Sequence, residues 1–213
     1  MIQANEAISP IERKMATKVR RVLKDFGFTP VAATNVSGTS DYLEKIVDLI
    51  RGCGFGVAIY SDSTPPRTLA NIFFEVGLSH LLGKPVQLLV AGRNSTPSDF
   101  VRTEWVYYDP NQEGRSLTNL RAAFRAIKKS ASYAYKLGCV AIEAEDVDYE
   151  LAFERFKQAV LISDHARARK RIVEISNQLR ANQQGPANLD WEKHRKRLLS
   201  SIDHFLKLLP RAT

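Results

Sequence analysis

The chain has 213 residues, 44% of them hydrophobic, enough to bury a sizeable core as one domain or as a domain with an appendage. No apolar run approaches the roughly 18 residues that span a bilayer, and the opening "MIQANEAISPIERK" has neither a basic nor an apolar leader region, so a soluble, cytoplasmic protein is expected. The net charge of +8 is uneven: residues 1–110 carry +1 and residues 111–213 carry +7, which predicts two regions with different surfaces.

In "SPIERKMATKVRRVLKDFGF" the residues Ile11, Met15, Val19, Val22, Leu23 and Phe26 recur at helical spacing, with Ser9 and Pro10 as entry signals and Gly27 as the stop. "TPVAA" follows as a short predicted strand. "GTSDYLEKIVDLIRGCG" predicts a second helix with Ser40 and Asp41 as capping residues, Asp41 and Glu44 at capping-box spacing, and Leu43, Ile46, Val47 and Ile50 on its apolar side. "FGVAIY" and "PVQLLVA" are almost wholly apolar strands, and "WVYY" is a further one. Strands buried on both faces and separated by helices imply a parallel α/β sheet with helices on either side.

Residues 111–213 show helical patterns only, from "SLTNLRAAFRAIKKSASYAYKLG" to "HFLKLL", with "DPNQEGR" at 109–115 as the junction and "ANQQGPANLD" as an internal connector. Ala152, Phe156 and Ala159 have the spacing of the second helix of a tetratricopeptide repeat. The partner signature around Leu137 and Gly138 is two residues out of register, so a helical hairpin with one or two more helices is expected. Cys53 and Cys139 form no C-x-x-C and are read as core thiols, and His165, His194 and His204 lack ligand spacing, so no metal is implied. "GLSHL" is not a nucleophile elbow, and the Gly77 to Lys84 run is one residue too long for a phosphate loop and is followed by Pro85.

The most informative stretch is "NIFFEVGLSHLLGKPVQLLV", a helix running into a strand with an acid near its middle. At about 100° per residue Asn71, Glu75 and Ser79 share one stripe, whereas Leu69, Ala70, Ile72, Phe73, Phe74, Val76, Leu78 and Leu81 cover the rest. This predicts an enclosed helix whose polar stripe faces solvent or a cleft, with Glu75 near the C-terminal edge of the preceding strand, where open parallel sheets bind ligands. Gly77 is read as permitting close backbone approach beside it. His80, opposite Glu75, is read as a core histidine.

This stretch, preceded by "SDSTPPRT", resembles the N-x-x-x-E-x-G-x-(A/S)-H-x-L-G-K-P pattern of bacterial TIR-like domains and of proteins similar to nucleoside 2-deoxyribosyltransferases, over roughly residues 9–110. The resemblance implies a flavodoxin-like (TIR-like) α/β domain over 1–110, followed by a basic α-helical region over 111–213. It further implies an N-glycosidase cleaving the base–ribose bond of NAD or a related nucleoside, with NAD as a substrate rather than a bound cofactor. Glu75 would be catalytic, by attack on the anomeric carbon or by stabilising its charge; Asn71, Asp62 and Ser79 would help bind the substrate. Asp99 is a further candidate at the cleft edge, although a helix cap is the simpler role, and Asp62 also fits a plain turn. Ser37, Gly38 and Thr39 fit either a phosphate cradle at a helix start or an ordinary cap and turn. Members of the group resemble one another in being switched on by assembly, often in anti-phage defence, so self-assembly or an activating protein docked on the helical half is expected. "HARARKR" and "EKHRKR" also admit nucleic-acid binding, although such runs are usually solvated faces. Members of the group open with an apolar strand; here only "MIQANEA" precedes the first helix. A degenerate first strand is therefore expected, and with it a non-catalytic nucleotide-binding or scaffolding module as the alternative.

Overall fold

The computed structural model describes residues 9–32, 42–92, 105–181 and 189–209. Asp99, Ser37, Gly38, Thr39, Ser40 and Asp41 lie outside the described residues. The elements in chain order are α1 (Pro10–Asp25), α2 (Tyr42–Gly52), β1 (Gly56–Ser61), α3 (Pro66–Leu81), β2 (Val86–Ala91), β3 (Trp105–Tyr107), a 3-10 turn (Pro110–Gln112), α4 (Glu113–Glu143), α5 (Tyr149–Ser163), α6 (Ala166–Ala181) and α7 (Leu189–Leu208). The fold is mixed α/β, mostly helical, with a parallel three-stranded sheet. Among the described residues no helix is long and apolar enough to cross a membrane.

The sheet has the order β1-β2-β3, with Ala58 opposite Leu88, Tyr60 opposite Val90 and Leu89 opposite Val106. The alternation of side chains along a strand divides it into two faces. Val57, Leu89, Ala91 and Val106 pack with Met15, Val19 and Val22 of α1 and with Leu120 and Phe124 of α4. Tyr60, Val86, Leu88 and Val90 pack with Ile72 and Val76 of α3. Helices therefore cover both faces, as the apolar strands require. Of the expected strand "TPVAA", Thr29–Ala32 are irregular, in keeping with Pro30, which offers no N–H to a ladder, and Ala33 lies outside the described residues.

α1 begins on a reciprocal cap in which the Glu12 N–H donates to Ser9 Oγ and the Ser9 N–H donates to Glu12 Oε2. It ends where Gly27 turns to φ +80°.

The chain divides into two compact units, residues 1–129 and 130–213. The expected junction at 109–115 is the 3-10 turn that opens α4, and α4 continues from it for 31 residues. In the second unit α5 packs on α6 and α6 on α7. Ala152, Phe156 and Ala159 are fully buried, and Gly138 lies so close to the Phe156 ring that an added Cβ would stand 2.5 Å from it. Cys53 and Cys139 are free and only half-buried, not core residues.

Candidate functional site

α3 packs on the sheet by a narrow face. Ile72, Glu75, Val76 and Ser79 fall within an arc of about 100° and are all buried. The sheet-facing side is thus half polar, and the helix is not enclosed all round: Phe74 is 57% and Leu81 83% exposed, and Ala70 and His80 are exposed as well. His80 is consequently not a core histidine. Gly77 points to open space, with nothing described within 4 Å of an added Cβ, so it serves no close approach to Glu75.

Glu75 is 7% exposed and lines a cavity of about 30 Å³ with Ser79, Ile72 and Val76 of α3, Gly56, Val57, Ala58 and Ile59 of β1, and Val86. That is room for about one water. The cavity lies along the N-terminal two-thirds of β1, not at its C-terminal edge where the sequence placed Glu75; α3 runs back along the strand, and Glu75 is about 13 Å along the helix from its start. Ser79 Oγ donates to the Glu75 carbonyl oxygen at 2.7 Å. Ser79 also lines an adjoining cavity with Val31, Leu49, Ile50, Cys53, Phe55, Gly56 and Lys84. Lys84 is 4% exposed, and its N–H donates to the Ser79 carbonyl. Glu75 and Lys84 are thus both buried on adjoining cavities, and neither is without an interaction partner. The sequence brought in Lys84 only within a rejected phosphate-loop run and the G-K-P end of the family pattern. Its place in a G-K-P turn just before a wholly buried strand was the signal available.

The other expected substrate ligands are not brought to Glu75. Asn71 is exposed and lines neither cavity. Asp62 stands just past the C-terminal end of β1, its carboxylate occupying the space where Gly92, at φ +108°, lacks a Cβ; an added Cβ there would lie 2.0 Å from Asp62 Oδ2.

At that same strand end is a second buried acid that sequence reasoning did not single out. Glu12 Oε1 accepts from Ser61 Oγ at 2.7 Å and from Thr64 Oγ1, while Oε2 holds the Ser9 N–H at 2.9 Å. Ser61 Oγ also shares a hydrogen bond with Ser63 Oγ at 2.8 Å. Burial opposes the charge on Glu12, but the donors from Thr64, Ser61 and Ser9 together hold its pKa below the ordinary carboxylate value. With its lone pairs so engaged, Glu12 ties α1 to the end of β1 and has little capacity for a substrate.

No group of three or more His, Cys, Asp or Glu among the described residues could hold a metal ion. Comparison with protein-family models, with curated proteins and with solved structures gave no match.

Proposed function

We propose that the first unit is a flavodoxin-like (TIR-like) domain that cleaves the base–ribose bond of NAD or a related nucleotide or nucleoside, with Glu75 as the central group. The observation that carries this is the burial of Glu75 beside a cavity against β1 rather than on a solvated helix face. Breaking the C1′–N bond sends the electron pair to the departing base and leaves positive charge on C1′ and the ring oxygen. A carboxylate held away from bulk water stabilises that charge more than it stabilises the neutral sugar. Water then adds its oxygen to C1′ and releases a proton. With NAD the base departs as neutral nicotinamide, so no strong general acid is needed. Ser79 shapes the wall beside Glu75, Asp62 and Asn71 act from outside the cavity on the remainder of the substrate, and the helical unit supplies the surface for self-assembly or an activating protein.

A second reading, a non-catalytic nucleotide-binding or scaffolding module, is favoured by the size of the cavity, which holds a water and not a ribose unless α3 moves outward. The test separates the two. Full-length protein, alone and at concentrations that promote assembly, is incubated with NAD and with deoxynucleosides, and free base is measured by chromatography. Base release that disappears in Glu75→Gln supports the glycosidase; release that persists unchanged refutes it; nucleotide binding without release in any state supports the module.

A further inference from the structure

Within the helical unit, Ser132, Tyr135 and Lys136 of α4 face Ser163, His165 and Arg167 across an open cleft of about 450 Å³. That is the size of a small-molecule site. The cleft is lined by cationic groups and hydroxyls and by no carboxylate. Two neighbouring arginines of α6 are paired: Arg169 with Asp164, and Arg171 with Glu174 at 3.0 Å. Lys136 and Arg167, which meet in the concavity, have no ion pair among the described residues.

The cleft is also shaped. His165 stacks on Tyr135 with ring centroids 4.7 Å apart, and its Nδ1 accepts from the Ala168 N–H at 3.2 Å. A neutral imidazole that accepts at Nδ1 carries its proton on Nε2, which makes the ring a donor of fixed orientation. An ammonium, a guanidinium fork, an imidazole N–H and the hydroxyls of Ser132, Tyr135 and Ser163 are a donor set suited to a phosphate group, whose oxygens accept several bonds at once.

We propose that this cleft binds a phosphate-bearing small molecule. It is a local concavity of small-molecule size, which matches one or two phosphates better than the long backbone of a nucleic acid. This is independent of the chemistry assigned to Glu75.

The test is titration calorimetry on the full chain with AMP, inorganic pyrophosphate, adenosine and a single-stranded DNA oligonucleotide, in about 50 mM salt so that surface charges remain effective. AMP and pyrophosphate are expected to bind, and any heat from adenosine, which has no phosphate, should be the same in wild type and in the cleft variants. Lys136→Ala and Arg167→Ala should each weaken both by about tenfold, and Arg167→Lys by less. Lys136 and Arg167 are exposed, and circular dichroism of each variant verifies that the fold is kept. Three results overturn the proposal: no binding of AMP or pyrophosphate at millimolar concentration, binding that survives the double alanine variant, or tight binding of DNA with none of AMP.

Discussion

Replacing Glu12 by alanine tests how the sheet end is held. The carboxylate is 6% exposed and accepts from the Ser9 N–H, Ser61 Oγ and Thr64 Oγ1. Loss of the reciprocal cap costs about 1 kcal/mol. Loss of the charged acceptor for two buried hydroxyls costs about 1.5–3 kcal/mol more, nearer the lower end because Ser61 keeps Ser63 as a partner and Thr64 Oγ1 still accepts from the Ser61 N–H at 2.8 Å. The expected total is about 3 kcal/mol, or a fall of about 1–2 M in the urea midpoint of the first unit, followed by circular dichroism. Glu12→Gln keeps the shape and should recover part of the loss. The sign with pH is fixed. Because the folded pKa of Glu12 lies below its ordinary 4.5, its contribution is complete above that pH and is lost as pH falls through the folded value. The gap between wild type and Glu12→Ala should therefore narrow in acid. A midpoint within about 0.3 M of wild type at neutral pH, or a gap that widens in acid, would refute the assignment.

Two glycines within helices should respond in opposite directions to alanine. Gly77→Ala adds a methyl to open space and should stabilise by up to about 1 kcal/mol, whereas Gly138→Ala drives a Cβ into the buried Phe156 ring and should destabilise by about 1–3 kcal/mol; thermal unfolding of the two variants reads both. Glu113, held by Lys14 at 2.8 Å and Lys18 at 2.5 Å, has its pKa lowered to about 2. Its stabilising effect should be complete above about 4.5 and fade as pH falls toward 2, so the urea midpoints of wild type and Glu113→Gln should converge over that window and, the pair being exposed, should also converge in high salt.

How much of this was legible in the sequence depends on how local the determinants are. β1, β2 and β3 were readable because a strand covered on both sides is apolar at nearly every position, and α1 because Ser9, Pro10 and Gly27 mark its ends within the element itself. The orientation of α3 was not readable. With apolar residues around most of its circumference, the helix gives no direction to its own burial, and the sheet selected the side that carries Glu75 and Ser79 while leaving Phe74 and Leu81 outside. Glu12 looked like any first-turn acid because its hydroxyl partners are 49 and 52 residues away in the chain. Thr29–Ala32 of the expected strand "TPVAA" are irregular in keeping with Pro30, which has no N–H to give a ladder, whatever the apolar neighbours suggest.

The proposed glycosidase stands on where the sugar sits relative to one carboxylate. A crystal structure of the Glu75→Gln variant soaked with NAD measures this directly. The proposal predicts the ribose C1′ within about 3.5 Å of the residue 75 side chain, with α3 displaced outward from β1 to admit it. A ribose bound elsewhere, at the Ser61–Thr64 end of the sheet or in the helical unit, with the cavity beside residue 75 unchanged, would contradict it.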